Sequence, residues 1–115
     1  MSPAPAIQRE LEKTKDLLNV SWKEVADVFD ATERTIHRWR KGKSRPQPSH
    51  KKRLEQMNDL LDLMNELFRE KESLREWLHK KIPTLNNRRP INLLKASRIE
   101  EVREVLGRAA DGISS

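Results

Sequence analysis

The stretch that most constrains this chain is Ser21–Trp39, SWKEVADVFDATERTIHRW. Trp22, Val25, Ala26 and Phe29 recur at i, i+3, i+4 and i+7, which places four apolar side chains on one helical face. Asp30-Ala31-Thr32 interrupts that face, and Ile36 and Trp39, three residues apart, open a second one. Ser21 and Thr32 stand where N-caps belong, because a side-chain oxygen there accepts a backbone N–H that the helix leaves orphaned. Asp30 occupies the corner, and Asp tolerates left-handed backbone better than most residues. The pattern predicts two short helices meeting at a tight corner, with Ala26 small enough to let them cross closely.

Two helices joined in this way form a helix-turn-helix, whose second helix enters the DNA major groove. Its outward residues are Glu33, Arg34, Thr35, His37, Arg38 and Lys41. Arg34 and Arg38 suit base reading, since a guanidinium grips guanine O6 and N7 through paired hydrogen bonds. Thr35 and His37 are second candidates, and Thr32 suits a phosphate at the helix start. Beyond Trp39, Gly42 fits a helix C′ position, while Pro46 and Pro48 forbid continuation. The intervening loop offers Lys41, Lys43, Ser44 and Arg45 for phosphate contacts, which fix register without reading sequence.

Charge placement agrees with that reading. The net charge is +6, and all of the excess lies in residues 1–53; residues 54–115 carry 11 charges of each sign. Arg34–Arg53 contains nine basic residues and no acid. A charge run alone is usually a solvated face. One that begins on a recognition helix suits a polyanion. A single such helix reads few base pairs, so a dimer on an inverted repeat with half-sites ~34 Å apart is expected.

The flanking segments read as helical too. The first eight or so residues predict a disordered tail, followed by a helix over 6–19 with Ile7, Leu11, Thr14 and Leu18 in one stripe. After the loop, Ser49 caps a helix to about Glu72, with Leu54, Met57, Leu61, Met64 and Phe68 at alternating spacings of three and four. That seam is either a bridge within one chain or a dimer seam; periodicity serves both. Leu74, Trp77, Leu78 and Ile82 predict a further helix stopped by Pro83, and Asn86–Pro90 a turn. Pro90 opens a short helix holding Ile91, Leu93 and Leu94. Ser97 then caps a last helix over 98–110, and Gly112 ends the order. The expected fold class is all-α: a helix-turn-helix domain at 6–48, a long connecting or dimerisation helix at 49–72, and a small helical domain at 73–115.

Several functions are argued against. There is no Cys, no Gly-rich phosphate loop and no His-Glu-x-x-His. His37, His50 and His79 are scattered without metal-ligand spacing, so neither catalysis, a metal nor a cofactor is expected. No apolar run approaches the roughly 20 residues of a membrane span, and no membrane partner is expected.

The C-terminal third adds a family resemblance. WLHKKIPTLNNRRPINLLKASRIEEVREVLGRAADG is similar to the C-terminal toxin-binding domain of Xre/MbcA/ParS-type antitoxins. The matching residues are Trp77, Leu78, Pro83, Leu85, Pro90, Leu93, Leu94, Glu101, Val102 and Gly112. Asn86, Asn87 and Arg88 replace the Gly often found in the turn, but Asn accepts positive φ. Ala96-Ser97 stands where a Gly is common before the last helix. With the helix-turn-helix ahead of it, the resemblance spans about residues 10–112.

That resemblance implies the antitoxin of a type II toxin–antitoxin system. Its partner would be a RES-type NAD-degrading toxin, or a related ADP-ribosyltransferase, neutralised by covering the active site. Operator binding would repress the module's own promoter. The implied toxin contacts are Trp77, the turn Asn86, Asn87, Arg88 and Arg89, then Arg98 and Arg103, and the end Gly112, Ile113, Ser114 and Ser115. Trp77 also reads as core, and Arg108 is a further basic candidate. A homodimer, a hetero-oligomer with toxin, and a bacterial cytoplasmic location follow, at the nucleoid when operator-bound. The residues alone leave two alternatives, a stand-alone helix-turn-helix regulator whose C-terminal domain dimerises and an interaction adaptor whose basic patch is incidental.

Overall fold

The computed structural model describes residues 4–114, and among them the regular elements are seven α-helices and one 3-10 turn. The first helix, α1 (Ala4–Leu18), buries Leu11, Thr14, Leu17 and Leu18. It begins earlier than the expected tail allows. Pro5 lies in the first turn, where its missing N–H would have had no partner in any case. Met1–Pro3 lie outside the described residues. Asn19, at φ 55°, turns the chain out of α1.

The corner forms as its capping residues dictate. Ser21 Oγ accepts from the Glu24 N–H at 3.1 Å, and Glu24 Oε1 accepts from the Ser21 N–H at 3.0 Å. This reciprocal pair satisfies two orphan donors at the start of α2 (Trp22–Val28). Asp30 takes φ 52°, and Thr32 Oγ1 accepts from the Thr35 N–H at 3.1 Å to open α3 (Glu33–Arg40). Ala26 is buried beneath α3, with Val25, Val28 and Phe29 around it. At the far end Gly42 adopts φ 69°, so the Lys43 N–H reaches back to the Arg38 carbonyl at 2.9 Å.

The long helix is shorter than its periodicity suggests. α4 runs Pro48–Leu67, with Pro48 in its first turn and Gln47, not Ser49, at the cap. It stops before Glu72 because Phe68 is extended (φ −114°, ψ 115°), which brings its ring to 5.9 Å from Trp77. α5 (Lys71–Leu78) follows. Ile82 is not on that helix: the residue before a proline is driven to extended backbone, and Ile82 has φ −105°, ψ 120°. Its N–H bonds the Arg88 carbonyl at 3.2 Å, closing a loop over the 3-10 turn Pro83–Leu85. Asn86 and Asn87 then take φ 58° and 59°, as their side-chain type permits.

α6 (Pro90–Lys95) and α7 (Ile99–Ser114) complete the chain. Ser97 does not cap α7; it sits at φ 61° and closes α6, its N–H bonding the Leu94 carbonyl at 2.9 Å. Its hydroxyl donates to the Val28 carbonyl at 2.8 Å and accepts from Arg53 Nε at 3.0 Å. Arg53 also lies 3.7 Å from the Asp30 carboxylate, so one arginine braces the helix-turn-helix corner against the α6–α7 turn. α7 continues through Gly112, since glycine weakens a helix without ending it unless the backbone turns left-handed.

The seam of α4 is covered within this chain. Leu54, Met57, Leu60, Leu61 and Met64 are all buried, with α1 against one side and α7 against the other. α6 packs on α2, where Lys95 pairs with Glu24 at 3.2 Å. One continuous apolar cluster therefore runs from Leu11 to Leu106. Two predictions test this arrangement. Leu60→Ala should cost ~2–5 kcal/mol, and urea melts followed by circular dichroism and tryptophan fluorescence should stay superimposed. Glu10 supplies the second. Burial, reinforced by Glu55 and more weakly by Asp62, outweighs the opposing charge of Lys13 and pushes its carboxyl up to about 7. The folded chain thus holds a proton that the unfolded chain releases near pH 4.5, so stability falls as pH rises from 4.5 to about 7 and levels off above that. Glu10→Gln should raise the melting temperature at pH 8 and change it little at pH 4.

Candidate functional site

The first candidate surface is the outer face of α3. Ile36 and Trp39 face the core, so helical geometry turns Arg34, His37, Arg38 and Lys41 the opposite way, at i, i+3, i+4 and i+7. All four are exposed, as are Thr32 and Glu33, while Thr35 is half-buried against the Thr32 hydroxyl at 2.9 Å. Lys43 and Arg45 extend the stripe onto the loop, and both are exposed. Among the described residues Arg34, Arg38, Lys41, Lys43 and Arg45 form no ion pair. Five cations are thus presented without an internal counter-charge.

Other bases in the same run are structural. The Arg40 guanidinium lies 3.8 Å over the Trp22 ring and 3.4 Å from Glu12, while its carbonyl accepts from Gln8. Lys15 lies at 5.6 Å from the same ring. Trp22 is half-buried under these cations rather than wholly core. His50 sets its ring edge-on to Trp39 at 5.2 Å, with Nε2 3.2 Å from the Asp30 carbonyl. The basic run therefore divides into cations aimed outward and cations that fasten the corner to its supports.

The second candidate surface is built by the turn between α5 and α6. Asn86 and Asn87 are exposed at its tip, presented by their left-handed backbone. Arg88 is half-buried; its Nε donates to the Leu85 carbonyl at 2.9 Å and Nη2 lies 3.8 Å from Glu101. Arg89 is exposed, and its Nε donates to the His79 carbonyl at 2.9 Å. Trp77 is half-buried against Phe68.

The arginines of α7 are already engaged. Arg98 Nε donates to Glu101 at 2.9 Å, Arg103 Nε to Asp59 on α4 at 2.9 Å, and Arg108 pairs with Glu104 at 2.5 Å. Arg98 and Arg103, expected as toxin contacts, would have to leave those carboxylates to meet a partner. Gly112, Ile113 and Ser114 continue the backbone of α7, and Ser115 lies outside the described residues. Two residues of this face escaped the sequence reading, Lys80 and Lys81, both exposed at the end of α5. The signal was present as an adjacent lysine pair but lay inside an expected helix. The bond between Arg53 and Ser97 also went unread, because it joins positions 44 apart in sequence.

Comparison with known proteins bears on the second surface. Residues 65–112 match the model of the antitoxin Xre/MbcA/ParS C-terminal toxin-binding domain. A probable mycobacterial cidal antitoxin of Mycobacterium tuberculosis (strain ATCC 25618 / H37Rv) is 34% identical over 89 residues, covering 77% of this chain and 75% of that protein. The mycobacterial cidal antitoxin MbcA of Mycobacterium bovis (strain ATCC BAA-935 / AF2122/97) is 26% identical over 96 residues, 84% of each chain. Among solved structures, the M. tuberculosis MbcT–MbcA toxin–antitoxin complex contains a chain that superposes with a TM-score of 0.66. That match covers 93% of this chain and 96% of the other at 23% identity, and establishes the fold.

Proposed function

Because this chain belongs to the Xre/MbcA/ParS antitoxin family, we propose that its two exposed surfaces serve two partners, a toxin and operator DNA. The observation that carries the reading is the match of residues 65–112 to a toxin-binding domain, together with the exposed Asn86–Arg89 turn inside it. The chain is an antitoxin of a toxin–antitoxin system. MbcA is solved together with the toxin MbcT, and a partner of that kind is proposed for this chain. The finer proposal is a RES-type NAD-degrading toxin, or an ADP-ribosylating one, whose active site is covered by the turn and by α7. The action is binding rather than catalysis.

For the DNA arm, the unpaired stripe of Arg34, His37, Arg38 and Lys41 supports insertion of α3 into a major groove. Lys43 and Arg45 would hold the flanking phosphates, and Thr32 the phosphate at the helix start. A homodimer would place two such helices on an inverted repeat and repress the module's own promoter. The setting is the bacterial cytoplasm, with the operator-bound fraction on the nucleoid. No described helix is long and apolar enough to cross a membrane.

Point variants in the full chain separate the two arms. Truncation does not, because α6 and α7 cover α2 and α4. Arg38→Ala should relax preference at one base pair, costing ~1–3 kcal/mol, whereas Lys43→Ala should weaken every sequence alike; gel-shift titrations across mutated operators read both. The double variant Asn86→Asp/Asn87→Asp keeps residues that tolerate positive φ while replacing amide donors with charge. Co-expressed with the cognate toxin, it should lose growth rescue and retain operator binding. Rescue by this variant at wild-type level would take the turn out of the toxin contact, whereas operator binding without any rescue by the wild-type chain would favour a stand-alone regulator.

A further inference from the structure

We propose that Lys80, Lys81 and Arg89 form an electrostatic steering patch that meets an acidic surface of the toxin and accelerates its capture, an inference that rests on the toxin-binding reading of residues 65–112. The chain holds a second acid-free basic run besides the one on the DNA face: Lys80 to Arg98 contains six Lys/Arg and no Asp/Glu. Half of it is internally neutralised. Arg88 and Arg98 share Glu101, and Lys95 pairs with Glu24. Among the described residues, Lys80, Lys81 and Arg89 form no ion pair, and all three are exposed.

The backbone brings these three together. α5 ends at Leu78, and the Lys80 N–H bonds the Trp77 carbonyl at 3.1 Å, holding the lysine pair at the helix end. The Ile82 N–H to Arg88 carbonyl bond (3.2 Å) and the Asn87 N–H to Ile82 carbonyl bond (3.0 Å) fold the chain back on itself. Arg89 therefore returns beside the end of α5 and donates to the His79 carbonyl at 2.9 Å. Three positive charges from positions 80, 81 and 89 lie around the base of the Asn86–Asn87 turn. Cations at the end of a helix also complement its negative pole, which lowers the cost of gathering them.

The patch sits on a different element from the proposed DNA face. α3 meets α1 at Gln8 and Glu12, whereas α5 meets it at Asp16, through Lys71 at 2.8 Å and Arg75 at 3.3 Å. The patch also falls within the matched toxin-binding domain. Charges at an interface rim act on encounter more than on dwell time, and their effect fades with salt.

The test uses the full-length chain and its purified cognate toxin, with association followed by stopped-flow fluorescence. Lys80→Glu/Lys81→Glu should slow association about tenfold or more at low ionic strength, with dissociation nearly unchanged. The difference should shrink at high salt. Lys80→Gln/Lys81→Gln should give a smaller slowing, since it removes charge without reversing it. Unchanged association at low salt in both folded variants overturns the proposal. So does a loss of operator affinity in place of the toxin effect, which would assign the patch to DNA. Failure of the wild-type chain to bind the toxin would instead sink the toxin-binding reading itself.

Discussion

The burial of one face of α4 is what the rest of the molecule depends on. Leu54, Met57, Leu60, Leu61 and Met64 have α1 on one side and α7 on the other. Each side chain so removed from water contributes roughly 1.5–3 kcal/mol. No neighbouring element could supply this burial alone. The corner helices are only 7 and 8 residues long, and α6 has 6, too short to persist without packing. Both candidate surfaces are therefore held by a helix that belongs to neither, and a defect in that helix reaches both.

Electrostatics follows a second logic on top of this frame. The ion pairs are mostly half-exposed, so each adds little to stability. Their consequence is selection. Arg40, Arg53, Lys95, Arg98 and Arg103 are committed to internal carboxylates. Among the described residues, exposed cations without an ion pair include two groups, the α3 stripe with its loop and the base of the Asn86–Asn87 turn, beside others such as Arg9, Lys23, Lys51, Lys52 and Arg69. A chain with a net charge of +6 thus leaves free cations on both surfaces where partners are proposed to dock.

Local features were readable wherever a residue's own chemistry decided them. Ser21 and Thr32 became caps, Asp30 and the paired asparagines took positive φ, Gly42 closed α3 and Pro90 opened α6. The outward face of α3 followed from period alone. Features set by a distant neighbour were misread. The seam pattern runs through Phe68, but the helix stops at Leu67, where Phe68 turns extended and its ring meets Trp77. Ser97 looks like a cap, yet its hydroxyl is taken by Val28 and Arg53. The arginines of α7 look free in sequence, since nothing local shows that Asp59 lies beside Arg103.

By itself the sequence determined an all-helical chain, the capped corner and its outward basic face, because each rests on spacing and on short-range hydrogen bonding. Its C-terminal pattern also carried the antitoxin resemblance. Only the tertiary structure decided that the α4 seam is a bridge within one chain, and which cations are left free. Those outcomes depend on which side chains meet across the core and on which carboxylate reaches which base. Periodicity specifies that a face must be covered; packing specifies by what.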